Sequence, residues 1–401
     1  MSQALKILLL EGIHPYAKTR LEEAGFHVEA EKGALGEADL IQRLPQFDAL
    51  GIRSKTQLTP KILEANRALR AVGAFCIGTN QIDLNAANLL GTPVFNAPYS
   101  NTRSVAELVI GEMIALSRYM ADVSQSAHAG GWLKSAKGAH EVRGKTLGII
   151  GYGHIGSQLS VLAESMGLRV LYYDIVKKLP LGNAKPTESL AELLKESDFV
   201  SLHVPETRQT MNMISSSQIK VMKPGSYLIN ASRGTVVDIS ALAQALKQGH
   251  LGGAAVDVFP DEPENNDQKF KSELQGLKNV ILTPHIGGST EEAQEAIGLE
   301  VAESLIRVLK LGSTLGAVNF PQVDCPPVAG THRLVNVHRN VPGVLGEING
   351  IMSRAKANIR AQFLSTDNQI GYLVMDIEQA DDERLAREVA ALSTSIQTHI
   401  L

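Results

Sequence analysis

The chain has 401 residues, of which 44% are hydrophobic and 20% are charged, and its formal net charge is -4. These proportions are typical of globular proteins, and the length predicts more than one domain. The slight excess of acidic residues argues against non-specific binding to nucleic acid. We therefore expect a multi-domain α/β protein with no nucleic-acid partner.

The sequence contains no predicted membrane anchor, signal peptide or metal site. The longest apolar stretches are interrupted by Glu11, Glu107 and Glu112 before they could span a bilayer. The N-terminus lacks the basic and apolar regions of a signal peptide. Two cysteines, Cys76 and Cys325, are too few for a disulfide framework or a thiolate metal site. We expect a cytoplasmic location.

Short apolar runs alternate with amphipathic segments over the first hundred residues. We predict strands and helices there, in chain order, at residues 7–10, 16–24, 47–52, from 60 to 65 and 71–74. Such alternation indicates βαβ units with a parallel sheet. Ser104 and Glu107 then match a capping box, which predicts the start of a long helix.

A second βα series begins at Gly144. Its predicted strands are residues 146–150, 169–173, 199–203, 227–230, 254–258 and 280–282. Six strands with short helical crossovers indicate a doubly wound nucleotide-binding domain.

Residues 325–330 contain two prolines and a glycine, and this composition predicts a linker. Such a linker could act as a hinge. The segments after it are predicted as strand 334–338, a helix from Pro342, strands 359–364 and 372–377, helix 381–392 and a last strand ending at Leu401. The order β-α-β-β-α-β is that of the ferredoxin-like unit. A unit of about seventy residues buries little surface alone, so we expect it to dimerise.

Three glycines follow the first strand of the second series and open a helix. Gly151 permits the turn, Gly153 lets the backbone approach a pyrophosphate, and Gly156 allows close helix packing. The free N–H groups at a helix N-terminus bind phosphates. In this context the pattern predicts a dinucleotide site, whereas alone it would indicate only a tight turn.

Asp174 ends the next strand, 18 residues after Gly156. An acidic residue there would accept a hydrogen bond from a ribose 2′-hydroxyl and repel a 2′-phosphate, which favours NAD over NADP. Lys177 and Lys178 lie close enough in sequence to weaken this preference.

Arg233, Glu262 and His285 each follow the end of a predicted strand. Ligands of open α/β sheets bind outside the carboxyl ends of the strands, so these side chains should converge. Histidine suits removal of a hydroxyl proton, a carboxylate beside it raises its pKa, and arginine binds a substrate carboxylate with two donors. Any one of them alone would be interpreted as a surface or capping residue.

These residues lie in segments 230–234, 257–263 and 283–288, which resemble the signatures of the D-isomer-specific 2-hydroxyacid dehydrogenases. Residues 51–56, 77–80, 95–109 and 179–183 are most similar to members that act on 3-phosphoglycerate. The resemblance covers essentially the whole chain, and the C-terminal unit resembles an ACT regulatory domain. It implies an α/β fold with three domains: a flavodoxin-like substrate domain (residues 1–100 and 288–324), a Rossmann NAD domain (101–287) and a ferredoxin-like ACT domain (325–401).

The resemblance also assigns roles to matching positions. It makes Arg233, Glu262 and His285 catalytic. Beyond the three glycines and Asp174, the NAD contacts that it implies are His154, Ile155, Ala231, Ser232, Arg233, Asp257, His285, Ile286, Gly287 and Gly288.

The substrate residues implied by the resemblance are Arg53, Ser54, Lys55, Gly78, Asn101, Arg103 and Lys134. Clustered cations would satisfy the phosphate dianion of the substrate. Lys55 stands where close relatives carry arginine, which would replace a bidentate contact by a point charge. Trp132 and Lys134 resemble a tetramer-contact element, but Ala129 replaces a basic residue there, and Trp132 could simply be a half-buried surface aromatic.

In the ACT-like unit, His338, Asn340 and Asn358 match a serine-binding pattern, although Arg339 stands where relatives carry an acidic residue. Such a domain could also serve assembly alone. The expected activity is NAD-dependent oxidation of 3-phospho-D-glycerate to 3-phosphohydroxypyruvate, the first step of L-serine biosynthesis, inhibited by serine in a homotetramer. Two alternatives remain: a reductase of another 2-oxo acid such as 2-oxoglutarate, either instead or in addition, and an NAD-responsive binding protein.

Overall fold

A computed structural model describes residues 4–263, 267–378 and 382–401. The chain divides into two compact units, one formed by Met1–Ser100 with Gln294–Leu401 and the other by Asn101–Ala293. Over the described ranges, no helix is both long enough and apolar enough to cross a membrane.

The first unit contains a parallel sheet of five strands in the order β2-β1-β3-β4-β5. The strands are β1 (Lys6–Leu9), β2 (His27–Ala30), β3 (Ala49–Ile52), β4 (Ala71–Ala74) and β5 (Val94–Phe95). The helices between them are α1 (Pro15–Glu23), α2 (Glu37–Arg43), α3 (Pro60–Ala65) and α4 (Leu84–Leu89), with a 3-10 turn at Leu44–Gln46. This flavodoxin-like order brings the carboxyl ends of the strands to one edge.

The elements predicted in this sheet are confirmed, with ends shifted by at most two residues. Strands β2 and β5 were not predicted. In β2 only Val28 is buried, because β2 is an edge strand, and β5 has only two residues. Neither offers the apolar run on which the other predictions depend.

The second unit contains a parallel sheet of seven strands in the order β12-β11-β10-β9-β6-β7-β8. The strands are β6 (Thr146–Ile150), β7 (Arg169–Tyr173), β8 (Lys185–Pro186), β9 (Phe199–Leu202), β10 (Tyr227–Asn230), β11 (Gly253–Val256) and β12 (Val280–Leu282). The helices are α5 (Thr102–Ser117), α6 (Met120–His128), α7 (His154–Ser165), α8 (Leu190–Glu196), α9 (Ser216–Val221) and α10 (Ile239–Lys247), with a 3-10 turn at Gly234–Val236. The predicted Rossmann fold is confirmed, and exposed β8 is added at one edge.

The predicted capping box at Ser104 is wrong. Helix α5 begins at Thr102, so Ser104 lies inside its first turn. The Ser104 hydroxyl is 2.8 Å from the hydroxyl of Thr290, and Glu107 accepts a hydrogen bond from Arg103 at 2.5 Å. Both side chains therefore have other partners.

Helix α11 (Glu291–Leu311) follows, and the C-terminal residues form an antiparallel sheet in the order β14-β15-β13-β16. Its elements are β13 (His332–Arg339), α12 (Val344–Arg354), β14 (Asn358–Thr366), β15 (Ile370–Glu378), α13 (Asp382–Ala390) and β16 (Ser395–Ile400). The ferredoxin-like prediction is confirmed. Helix α12 starts two residues later than predicted because Gly343 has a φ of +95°. Asp381, the first residue of the last predicted helix, lies outside the described residues.

The first sheet and the C-terminal sheet share one apolar core in the first unit. Phe95, Phe320, Val337 and Tyr372 are all buried in it. The linker between the sheets is held by Arg333, whose guanidinium donates to the carbonyls of residues 311, 325 and 326 and to the carboxylate of Asp376. The segment predicted as a hinge is therefore bound to the C-terminal sheet.

Candidate active site

The glycine turn after β6 has the geometry of a phosphate site. Gly151 has a φ of +91°, and a Cβ there would lie 2.3 Å from the carbonyl oxygen of His203. A Cβ on Gly156 would lie 2.3 Å from the carbonyl oxygen of Gly151. By contrast, among the described residues no heavy atom lies within 4 Å of a Cβ built on Gly153, and no side-chain hydrogen bond caps α7 there. The backbone is therefore open to a pyrophosphate at the N-terminus of α7, where His154 and Ile155 begin the helix.

Asp174 lies at the end of β7, beside this turn. Its two carboxylate oxygens accept hydrogen bonds from the backbone N–H groups of Tyr152, at 2.8 Å, and Val176, at 2.9 Å. A carboxylate has about four acceptor positions, so Asp174 can still accept from ribose hydroxyls. Lys177 and Lys178 follow on exposed chain. The residues present fit an adenosine dinucleotide.

His285 and Glu262 form a hydrogen-bonded pair. His285 Nδ1 donates to Glu262 Oε2 at 2.8 Å, and Glu262 Oε1 accepts from the backbone N–H of Phe259 at 3.0 Å. The bond to Glu262 raises the pKa of His285, and this outweighs the opposing effects of burial and of Arg233. Burial alone would raise the pKa of Glu262, but the hydrogen bonds from His285 and Phe259 lower it. The pair is thus poised to hold a proton on the imidazole.

The loop that carries His285 is fixed by Asp257. His285 has a φ of +55°, which is uncommon for a residue with a Cβ. The buried Asp257 carboxylate accepts from the backbone N–H groups of Ile286 and Gly287, both at 2.8 Å, and from the Thr283 hydroxyl at 2.6 Å. Asp257 was expected to contact NAD. In the structure its carboxylate accepts three hydrogen bonds from the protein itself.

Arg233 extends from a short loop after β10, which also contains Ala231. Buried Asn230 accepts from the N–H and hydroxyl of Ser232 and donates to the carbonyl of Arg233 at 3.0 Å. A Cβ on Gly234 would lie 2.0 Å from the carbonyl carbon of Phe259, so this loop packs directly on the loop that leads to Glu262. The positive charge of Arg233 opposes protonation of both Glu262 and His285, but for His285 this effect is smaller than that of the hydrogen bond to Glu262, which raises its pKa.

The sequence patterns do not single out Glu112, on α5. Its carboxylate is buried and has no hydrogen-bond partner among the described residues. Burial, with a smaller effect from the charge of Asp257, raises the pKa of Glu112 to about 8. It lines an open pocket of about 520 Å³ together with Thr283, Ile286 and Gly287, which belong to the loop that carries His285. The sequence signal that could have indicated it is its place among apolar residues on the buried face of α5, three residues after Val109 and four before Leu116.

In the first unit, Glu11 organises the loop of expected substrate residues. Its carboxylate accepts from the backbone N–H groups of Arg53, Lys55 and Thr56 at 2.8–3.1 Å. The carbonyls of Arg53 and Gly78 accept from the amide of Gln81. Arg53, Ser54, Lys55 and Gly78 are therefore brought together at the carboxyl edge of the first sheet. Glu11 was not predicted, although an acidic residue directly after a buried strand is a detectable signal.

The other expected substrate residues belong to the second unit. Asn101 precedes α5, and a Cβ on Gly288 would lie 2.4 Å from its amide nitrogen. Arg103 pairs with Glu107, as described above. Lys134 is exposed in a segment without helix or strand, next to Trp132, whose surface is 86% exposed.

The three expected effector residues are not brought together within one chain. His338 is buried beside Gly371, and burial lowers its pKa. Asn340 donates to the carbonyl of Asp367 at 2.6 Å. Asn358 donates to Glu378 at the opposite end of β15.

The chain is similar to known proteins over nearly its full length. Residues 110–287 match the model of the D-isomer specific 2-hydroxyacid dehydrogenase NAD binding domain, and residues 334–397 match an AHAS small subunit-like ACT domain. A D-3-phosphoglycerate dehydrogenase of Dictyostelium discoideum is 52% identical over 99% of this chain and 97% of its own. One from Escherichia coli K12 is 53% identical with the same coverage.

Solved structures of related enzymes are also similar. D-lactate dehydrogenase from Aquifex aeolicus, complexed with NAD and lactic acid, superposes with a TM-score of 0.66 at 29% identity, over 76% of this chain and 95% of that one. D-2-hydroxyisocaproate dehydrogenase superposes with a TM-score of 0.72 at 27% identity, over 79% of this chain and 100% of that one. The chain belongs to the D-isomer-specific 2-hydroxyacid dehydrogenase family.

Proposed function

We propose that this NAD-dependent dehydrogenase oxidises 3-phospho-D-glycerate to 3-phosphohydroxypyruvate, the first step of L-serine biosynthesis. The pairing of His285 Nδ1 with Glu262 carries the catalytic part of the proposal, because it leaves Nε2 for the substrate hydroxyl. The choice of substrate is supported by relatives named D-3-phosphoglycerate dehydrogenase at 52–53% identity over nearly the full length.

The glycine turn at residues 151–156 and Asp174 would hold NAD, whose nicotinamide would supply the hydride acceptor for oxidation at C2 of the substrate. His285 Nε2 takes the C2 hydroxyl proton as general base, and Glu262 stabilises the resulting imidazolium. Arg233 binds the substrate carboxylate and polarises the C2 oxygen. The strained loop at His285, fixed by Asp257, holds the base in position.

We assign cofactor binding to residues 101–287, substrate binding to residues 1–100 and 288–324, and regulation to residues 325–401. The glycine turn and α7 are assigned to the pyrophosphate of NAD, and Asp174 is assigned to its adenosine ribose. The loops at residues 231–233 and 285–288 are assigned to its nicotinamide end. Asp257 acts on the cofactor through the loop that it anchors.

The phosphate of the substrate is assigned to the loop that Glu11 organises. Arg53 and Lys55 supply cations there, with Ser54, Gly78, Asn101 and Arg103 as further contacts. A dianion is best satisfied by clustered cations and backbone N–H groups, and the backbone of this loop is already ordered by Glu11.

Serine is the proposed inhibitor, bound by His338 and Asn340 of one chain and Asn358 of a second copy. Within one chain, His338 pairs with one end of β15 and Asn358 with the other end. This separation supports a serine site shared between two chains. We further propose a cytoplasmic homotetramer, in which exposed Trp132 and Lys134 contact a neighbouring subunit.

The substrate assignment is tested by comparing 3-phosphoglycerate with D-glycerate. The Arg53→Ala and Lys55→Ala variants should raise KM for 3-phosphoglycerate by about ten- to a hundredfold, since charge-assisted hydrogen bonds contribute about 1.5–3 kcal/mol each. Turnover of D-glycerate should change little. Equal effects on both substrates would contradict the phosphate assignment.

A further inference from the structure

We infer that helix α4 couples the effector residues of the C-terminal sheet to the loop that carries Arg53, through hydrogen bonds made by Asn88 and Gln397. The inference rests on the serine site proposed above. All the residues concerned belong to the first unit, in which the two sheets share one core.

The first connection runs from Asn340 through the turn between β14 and β15. The side chain of Asn340 donates to the carbonyl of Asp367 at 2.6 Å, and its backbone N–H donates to the carbonyl of Gln369 at 2.9 Å. The Asp367 carboxylate accepts from the side chain of Asn88 on α4, at 2.7 Å. Gln369 also donates to Asn85 on the same helix, at 2.9 Å. A ligand that moves Asn340 therefore acts directly on the β14–β15 turn, which is hydrogen-bonded to α4.

The second connection runs from His338 through β16. Asn336 accepts from His338 Nδ1 at 2.9 Å and donates to the carbonyl of Gln397 at 3.2 Å. The side chain of Gln397 lies within hydrogen-bonding distance of three carbonyls in loops beside the first sheet, those of Arg67 and Leu69 before β4 and that of Leu90, at 2.8 Å, directly after α4. Both expected effector residues thus reach the C-terminal end of one helix by separate routes.

The N-terminal side of α4 leads to the substrate loop. Gln81, which precedes the helix, donates to the carbonyl of Arg53 at 2.6 Å. Its own carbonyl accepts from Leu58, whose carbonyl accepts from Asp83, the N-cap of α4. A displacement of α4 along its axis would therefore move the backbone that positions Arg53.

The packing around these hydrogen bonds favours the transfer of a displacement from the C-terminal sheet to α4. Asn88 is only 7% exposed, and Val337 and Tyr372, from the C-terminal sheet, pack in one core with Phe95 and Phe320. Close-packed interiors transmit displacements because they contain few voids. The two sheets can therefore respond to an effector as one body linked to α4.

The test uses the full-length oligomer with the double substitution Asn88→Ala/Gln397→Ala. Serine binding is measured by isothermal titration calorimetry, and inhibition by the initial rate at saturating serine. Allosteric couplings are typically 5–150-fold, so we expect serine affinity to stay within about threefold while inhibition falls from at least about tenfold to less than about twofold. The control is Gln362→Ala, which removes a bond to Asn349 within the C-terminal sheet and α12 and should leave inhibition intact.

A milder variant, Gln369→Ala, removes one exposed contact with α4 and guards against misfolding of the double variant. It should weaken inhibition partly. Full inhibition in both variants would overturn the role of α4, as would loss of serine binding in the double variant, which would make these residues part of the effector site. If the unaltered chain bound no serine, the proposed effector site would fail first, and the coupling with it.

Discussion

The hydrogen bond from His285 Nδ1 to Glu262 Oε2, 2.8 Å long, determines which imidazole nitrogen can act on a substrate. Because Nδ1 is occupied, proton transfer must use Nε2. The same bond raises the pKa of His285, so one contact fixes the tautomer, the orientation and the proton affinity of the base.

Replacement of His285 by Asn should lower kcat by about 10²–10⁴-fold, because general-base catalysis contributes about that much. The asparagine amide can still donate to Glu262, so NAD affinity should change little. Steady-state kinetics and NADH titration by fluorescence measure the two effects. His27→Asn, at an exposed position on β2, is the control. Near-normal turnover in the His285 variant would exclude His285 as the base.

The Glu262→Gln variant should shift the pH profile of kcat/KM. Oxidation needs neutral His285, so its rate rises as pH increases through the pKa of His285. Loss of the carboxylate lowers that pKa, and the rise should move to lower pH. Reduction needs the protonated form, so its fall with pH should move in the same direction. An unchanged profile in both directions would contradict control of His285 by Glu262.

Replacement of Asp174 by Ser should increase the use of NADP relative to NAD. Placing like charges together costs several kcal/mol, so the ratio of kcat/KM for NADP to that for NAD should rise by at least about tenfold. Lys177 and Lys178 remain to pair with the 2′-phosphate. If the unaltered chain already uses both cofactors equally, these lysines, and not Asp174, govern the preference.

The buried carboxyl group of Glu112 should make the folded chain less stable as pH rises. Its pKa is about 8 in the folded chain and lower when unfolded, so the unfolded chain loses this proton first as pH rises. Stability should therefore fall between about pH 5 and 8, by up to about 1.4 kcal/mol per pH unit, and Glu112→Gln should remove this loss. Urea unfolding at several pH values measures it. Exposed Glu107→Gln, on the same helix, is the control, and parallel curves for wild type and Glu112→Gln would contradict the prediction.

The sequence predicts the parts of the fold that depend on continuous apolar runs. Both parallel sheets and the ferredoxin-like unit follow from such runs, whereas β2 and β8 do not, since edge strands bury few residues. The capping-box prediction at Ser104 is wrong because a four-residue pattern cannot tell a helix start from the first turn of a helix that begins earlier.

The pairing of Glu262 with His285 is predictable from strand ends, because the topology of a parallel sheet brings loops at one edge together. The contacts of Glu11 with Arg53 and Lys55, and the isolation of Glu112, depend on side-chain packing between segments distant in sequence. A local pattern can draw attention to Glu11, but it does not specify which distant backbone groups its carboxylate contacts. The hydrogen bond between Asn88 and Asp367 likewise joins segments distant in sequence, because the two residues are 279 positions apart.

The most direct test of the proposed function is NADH-dependent reduction of 3-phosphohydroxypyruvate, measured beside 2-oxoglutarate with and without L-serine. We expect strong activity on the phosphorylated acid and suppression of that activity by serine. Activity confined to 2-oxoglutarate would retain the roles of His285, Glu262 and Arg233 but contradict the phosphate assignment to Arg53 and Lys55. Absence of activity on both acids would contradict the proposed reaction itself.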